Sequence, residues 1–179
     1  VLPYFHRAGN GRIVNTSSNQ ALYGAPLSAD YAAAKGAVMG YTLSLAAATR
    51  DTGIRVNLLS PGAFTRMVSG DVRSAEATRL LEAGLGAAVA APAAAWLCHP
   101  DCTSHGEIIE AYAGRFSRAV IGELPGFWDF HPTPESVAQG FDSLSAVLPL
   151  WQSKDAASMA FRVLSEAPAH RAKQEKMND

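Results

Sequence analysis

The chain has 179 residues, of which 48% are hydrophobic and 17% charged, and its formal net charge is −1. That is enough apolar mass for one domain with a real core, and it excludes a disordered segment. The near-neutral balance gives no support to a general nucleic-acid or membrane-surface role, and no apolar run approaches the ~20 residues of a membrane-spanning helix.

The opening Val1-Leu2-Pro3-Tyr4-Phe5-His6-Arg7 reads as the end of a helix rather than as a leader, so an amino-terminal portion is expected upstream. Gly9-Asn10-Gly11 is turn chemistry, and Arg12-Ile13-Val14-Asn15-Thr16-Ser17 follows as a short strand rich in β-branched residues. Residues 19–30, with Gly24 and Pro26, read as a loop. A helix is expected from about 30 to 50, with Gly53 at its C-cap.

That helix has two faces. Tyr31, Lys35, Val38, Thr42 and Leu45 form one stripe, which is expected to carry Tyr31 and Lys35 at its amino end and to lie on a sheet further along. Ala33, Ala37, Gly40, Ser44 and Ala47 form a second stripe with almost no bulk, suited either to a tight core or to a subunit interface. Ile54-Arg55-Val56-Asn57-Leu58-Leu59 is the next strand, stopped by Ser60-Pro61-Gly62. Strand, long helix, strand is a parallel crossover unit. Ser17-Ser18, Tyr31, Lys35 and Pro61-Gly62 then share the edge where open α/β sheets bind ligands, outside the carboxyl ends of the strands.

Residues 64–79 are expected to form a loop with short helical pieces, either a lid over that edge or a plain surface excursion. Residues 87–98 read as an Ala-rich helix and residues 106–111 as a third strand. The expected fold class is α/β: the carboxyl-terminal part of a Rossmann-like doubly wound parallel sheet, its amino-terminal βαβ half missing, with a helical carboxyl-terminal extension. Residues 1–114 form the catalytic domain in this reading and residues 115–179 the extension. Residues 115–129 read as irregular. Thr133-Pro134-Glu135 starts a helix, with Val137, Phe141, Leu144 and Leu148 as its apolar stripe. Ser153 caps a last expected helix carrying Ala156, Met159, Ala160, Val163 and Leu164.

A phenol and an ammonium one helical turn apart, with a hydroxyl a short loop upstream, suit proton transfer at a carbonyl or alcohol. Tyr31 would exchange the proton, the Lys35 ammonium would favour the phenolate, and Ser18 would hold the substrate oxygen. Gly11-Arg12-Ile13-Val14-Asn15-Thr16-Ser17-Ser18, then Tyr31 and Lys35, then Arg55-Val56-Asn57 before Pro61-Gly62, resemble the short-chain dehydrogenase/reductase family. In that family the active serine lies 13 positions before the tyrosine, which selects Ser18 over Ser17.

The resemblance implies catalysis by Ser18, Tyr31 and Lys35 with NAD or NADP as cofactor. It implies a hydrogen bond from Lys35 to the nicotinamide ribose, a ring against Pro61-Gly62, and Thr65 as a contact of the carboxamide. The family's common pattern has three residues between that glycine and threonine, whereas Ala63 and Phe64 are only two here. The family's glycine-rich phosphate turn and its catalytic asparagine belong upstream of Val1. Gly84-Leu85-Gly86 imitates the glycine turn but lacks the preceding strand.

Cys98-His99-Pro100-Asp101-Cys102-Thr103-Ser104-His105 is spaced too tightly for a usual zinc site, and no metal is expected. The same stretch, with Glu110-Ala111-Tyr112-Ala113-Gly114, Thr65-Arg66-Met67 and the segment from His131 to Val137, resembles the 3-hydroxyacyl-CoA dehydrogenase branch found in peroxisomal multifunctional enzymes of type 2. That implies a secondary alcohol or ketone substrate, an acyl-CoA or a hydroxysteroid, and a homodimer or homotetramer. No nucleic acid or membrane span is expected. Two cysteines without a disulfide framework point to a reducing compartment, the cytoplasm, or the peroxisome in a eukaryote, although Lys176-Met177-Asn178-Asp179 is not a peroxisomal address. The alternative reading is a catalytically inactive fragment acting only in oligomer or partner contacts.

Overall fold

The computed structural model describes residues 1–63, 86–112 and 114–141, with Leu144, Lys173 and Lys176. Val1–Ala119 form one unit and Val120–Asp179 a second. The first unit begins with helix α1 (Leu2–Ala8), ended by Gly9 in the left-handed region at φ 71°, where any side chain would be strained. Strand β1 (Gly11–Thr16), the short helix α2 (Asn19–Tyr23), the long helix α3 (Ala29–Ala48) and strand β2 (Ile54–Gly62) follow. Helix α4 (Ala87–Cys98) leads to strands β3 (Ile108–Tyr112) and β4 (Arg115–Ala119).

The four strands lie in chain order. β1 pairs with β2 and β2 with β3, both parallel, and β3 pairs antiparallel with β4. Helices cover both faces, as alternating strand residues show. Ile13, Ile54 and Val56 pack with Leu45 and Ala46 of α3 and with Leu2 and Phe5 of α1. Val14, Leu59, Ile109 and Ala111 pack with Ala90, Ala93 and Leu97 of α4 and with Cys102. This is the doubly wound arrangement, with β1 at one edge of the sheet among the described residues.

Four expectations are corrected. The stretch 19–30 is not all loop: the Ser18 hydroxyl accepts from the Gln20 N–H at 3.2 Å and caps α2. Helix α3 ends at Ala48 with Thr49 as its C-cap, not Gly53. The Thr49 hydroxyl donates to the Leu45 carbonyl at 2.8 Å. Gly53 is glycine for another reason, since a methyl group there would overlap the Gly9 carbonyl. Ser60-Pro61-Gly62 does not stop the strand. Leu59 turns its carbonyl to β1, accepting from the Ser17 N–H, so Pro61, two residues on, faces the side where β1 has ended. The N–H that proline lacks has no ladder partner to serve there. Residues 115–119, expected as irregular, form β4, which lies within the first unit, Val1–Ala119.

The two stripes of α3 separate cleanly. Thr42 and Leu45 are buried, and the Thr42 hydroxyl accepts from Asn15 of β1 at 3.0 Å. Ala33, Ala37, Gly40 and Ser44 are exposed in this chain, so the second stripe is not filled by its own core.

Polar side chains join β2 to the approach of β3. Asn57 is wholly buried; its amide donates to the Ser104 carbonyl at 2.9 Å and accepts from the Glu107 N–H at 3.1 Å. His105 accepts from the Val56 N–H through Nδ1, so Nε2 is the nitrogen that donates to the Ala46 carbonyl.

In the second unit, helix α5 (Pro134–Gly140) has the start expected at Thr133: its hydroxyl accepts from the Ser136 N–H, and the Ser136 hydroxyl accepts from the Thr133 N–H. The last helix expected after Ser153 lies outside the described residues.

Asn57→Ala strands a buried N–H and a buried carbonyl together, and should lower stability by about 3 kcal/mol in urea unfolding. A loss below about 0.5 kcal/mol would mean that these bonds contribute nothing net.

Candidate active site

The parallel pairing of β1 and β2 brings the predicted residues to one edge. Ser17 is fastened at both ends: its N–H donates to the Leu59 carbonyl at 2.8 Å and its hydroxyl to the Lys35 carbonyl at 2.9 Å. It therefore binds α3 to the end of β1 and has a structural task. Ser18, 9% exposed, accepts from Gln20 and points its proton at Asn19 Oδ1, 3.3 Å away. The two serine hydroxyls thus have different partners.

Lys35 Nζ donates to the Thr16 carbonyl at 3.2 Å, two residues before Ser18, and lies 5.8 Å from the centre of the Tyr31 ring. An ammonium has three donors, so two remain for other groups at this edge. The Tyr31 side chain is on the same face and partly exposed. Thr65 lies outside the described residues, as do the stretch 64–79 and Gly84-Leu85.

Pro61 and Gly62 line a cleft of about 260 Å³ with Asn19, Tyr23, Ser60, Glu110, Tyr112, Arg115 and Ser117. Tyr31 and Lys35 are not among its walls; Asn19, the neighbour of Ser18, is the link between the two groups. A methyl group at Gly62 would overlap the ring of Tyr112, its partner in the register of β2 and β3. The aromatic ring against Gly62 in this fold is thus the protein's own. The Tyr23 hydroxyl donates to Glu110 Oε2 at 3.1 Å. That bond, and the negative charge behind it, raise the Tyr23 pKa above its usual 10.0, with Arg115 opposing to a smaller degree.

Tyr23 carries no motif of its own, and Glu110 and Tyr112 were noticed only within a stretch of resemblance, without a role. The available signal was topological: a third parallel strand must end on the same edge as the first two.

The Cys98–His105 stretch is structural. Cys102 is buried in the core, and His99 stacks on Trp96 with ring centres 5.6 Å apart. The Asp101 N–H donates to His99, and both ring nitrogens of His105 are used within the fold. Among the described residues no three His, Cys, Asp or Glu side chains converge as a metal site would require.

Comparison with known proteins agrees with this architecture. The family model described as short chain dehydrogenase matches residues 1–77. The peroxisomal multifunctional enzyme type 2 of Mus musculus is 32% identical over 139 residues, covering 75% of this chain and 18% of that protein. The chain thus spans less than a fifth of the length of that relative. The solved full-length peroxisomal multifunctional enzyme type 2 of Drosophila melanogaster superposes with a TM-score of 0.70 at 24% identity, covering 93% of this chain and 30% of that one, a likeness of fold. A 3-oxoacyl-[acyl-carrier protein] reductase from Brucella melitensis superposes with a TM-score of 0.53 at 33% identity, covering 63% and 45%.

The Tyr23–Glu110 bond has a spectroscopic consequence. A raised phenol pKa means that the bond is whole below the ordinary tyrosine range and is lost as pH rises through the raised value. Glu110→Gln removes the charge, so ultraviolet titration should show the Tyr23 phenol ionising at lower pH than in the parent chain. An unchanged titration would show that Glu110 does not control it.

Proposed function

Residues 1–77 belong to the short-chain dehydrogenase family, and from that premise we propose that the chain supplies the proton-transfer side of an NAD(P)-dependent oxidoreductase acting on a secondary alcohol or its ketone. The observation that carries the proposal is the position of Lys35. Its ammonium is anchored on the carboxyl end of β1, near the Tyr31 ring and two residues from Ser18. The nicotinamide would accept or deliver the hydride.

The residues present suit such a cofactor. Lys35 has donors left for ribose hydroxyls, while Thr65 is the candidate for the carboxamide; the ring of Tyr112 covers Gly62 and would have to move aside for a nicotinamide to lie there. Tyr31 exchanges the proton of the substrate oxygen, with the Lys35 ammonium 5.8 Å from the centre of its ring. Ser18 donates a hydrogen bond to that oxygen as charge develops on it, turning its proton away from Asn19 to do so.

Of the two substrate classes the resemblance implies, the cleft favours a 3-hydroxyacyl thioester over a hydroxysteroid. Its walls carry Glu110, Arg115, Ser117 and the Tyr23 hydroxyl. Covering these with the apolar rings of a steroid would desolvate charge without return, whereas the amides of a pantetheine arm can hydrogen-bond to them. A relative named for acting on 3-oxoacyl groups, the Brucella reductase, supports the same class.

A second reading has its own observation. The exposed small-residue face of α3 and the pairing of β1 on one side only among the described residues suit close approach by another chain, through which the protein would act only as a contact module. In the catalytic reading the same face serves a homodimer or homotetramer.

Turnover separates the two readings. The natural full-length protein should bind NADH or NADPH and oxidise a 3-hydroxyacyl-CoA faster than a hydroxysteroid. Tyr31→Phe should reduce kcat by about 10²–10⁴-fold, with cofactor affinity nearly unchanged by fluorescence titration. Dimerisation without cofactor binding would leave the contact module standing, and a wild-type rate in Tyr31→Phe would remove Tyr31 from the chemistry.

A further inference from the structure

We propose that Glu110 is a positioning residue for Ser18, acting through Tyr23 and the short helix α2 between them. The functional half of this inference rests on the reading of Ser18 as the donor to the substrate oxygen; the structural half does not.

Helix α2 has five residues and is therefore only ~7 Å long. A helix of that length has no stability of its own in water, so its place is set by its packing on α3 and β2 and by what holds its ends. At the amino end the holder is Ser18 itself, whose hydroxyl accepts from the Gln20 N–H and whose carbonyl accepts from the Ala21 N–H at 3.0 Å. Along its side the Ser28 hydroxyl donates to Gln20 Oε1 at 2.7 Å. At the carboxyl end the side-chain tether is the Tyr23 hydroxyl on Glu110.

The two ends differ in stiffness. Glu110 is opposite Ser60 of β2 and Ser117 of β4, so its backbone is held in the sheet from both sides. Tyr23 is 71% exposed and gains little from burial, so the bond to Glu110 is its main link to the sheet. An ionised acceptor makes that bond stronger than one between neutral groups. The carboxylate thus tethers one end of a short rod, and Ser18 is at the other.

The consequence is specific to the hydroxyl of Ser18. Its proton is directed at Asn19 Oδ1, the first residue of α2. Serving a substrate oxygen requires that hydroxyl to be shared between a ligand and the start of α2. A shift of the rod changes both the direction of the hydroxyl and its competition with Asn19. Misplacement of a reacting group by ~1 Å can lower a rate by 10²-fold, so loss of one tether need not unfold anything to be visible in kcat.

The test is a double-mutant cycle in the natural full-length protein, with amide exchange as a second readout. Tyr23→Phe and Glu110→Ala should each lower kcat by about tenfold, over and above any rise in KM from their place in the cleft wall. Glu110→Gln, whose amide oxygen still accepts from Tyr23, should recover most of what Glu110→Ala loses. In a Ser18→Ala background Tyr23→Phe should add no further loss, because the group it positions is gone. The Gln20 and Ala21 amides should exchange faster in Tyr23→Phe and Glu110→Ala than in the parent. Equal losses with and without Ser18 would overturn the positioning role, as would unchanged exchange at Gln20 and Ala21. If the parent protein shows no turnover, the catalytic reading of Ser18 falls, and the exchange result alone decides whether Glu110 holds α2.

Discussion

Two parallel strands cannot be joined by a tight turn, and this constraint organises the protein. After β1 the chain must return to the opposite end of the sheet before β2 can start, and α3 makes that return across one face. Its first turn is therefore at the carboxyl edge of β1, which is where Tyr31 and Lys35 stand. The ladder from Gly11↔Ile54 to Thr16↔Leu59 then brings Pro61 and Gly62 out on the same edge. No side chain has to reach far. The ammonium of Lys35 touches the end of β1 because the helix starts there.

The same edge is also where strand pairing runs out, and small residues mark it. β1 stops at Thr16 while β2 continues, so Pro61 can occupy the strand without leaving a broken bond behind. Gly62 lies against Tyr112 because β3 continues beside β2 to that point. The short α2 fills the space above the ended strand, capped by Ser18 and tied through Tyr23 to Glu110. A proposed catalytic hydroxyl thus doubles as the cap of a five-residue helix, which joins a stabilising role to a chemical one.

Away from that edge, the approach to β3 is held by polar side chains. Asn57 and His105 supply hydrogen bonds to backbone groups between Val56 and Glu107 that the ladder does not reach. The Arg55-Val56-Asn57 segment, noticed for its resemblance, has a physical role here: Asn57 is an inward polar residue whose donor and acceptor are both used. Cys102 and His105, which could be taken for metal ligands in sequence, are likewise absorbed by the core and by backbone contacts.

Much of this was determined locally. The crossover unit, the two faces of α3, the helix Ala87–Cys98 and the Thr133 cap follow from periodicity, small-residue patterns and capping chemistry, which depend on near neighbours in the chain. The preference for Ser18 over Ser17 rests on the family spacing that the resemblance implies. Other features depended on partners distant in sequence. That Gly53 spaces two backbones apart required Gly9 to arrive beside it, and that Pro61 remains within a strand required β1 to have ended. β4 has a polar, basic sequence and becomes a strand because β3 offers it an edge. The cleft of Tyr23, Glu110 and Arg115 sets Tyr23 beside residues 87 or more positions further along the chain; only the tertiary register of β2, β3 and β4 assembles it, because hydrogen-bonded strands align residues that no local pattern connects.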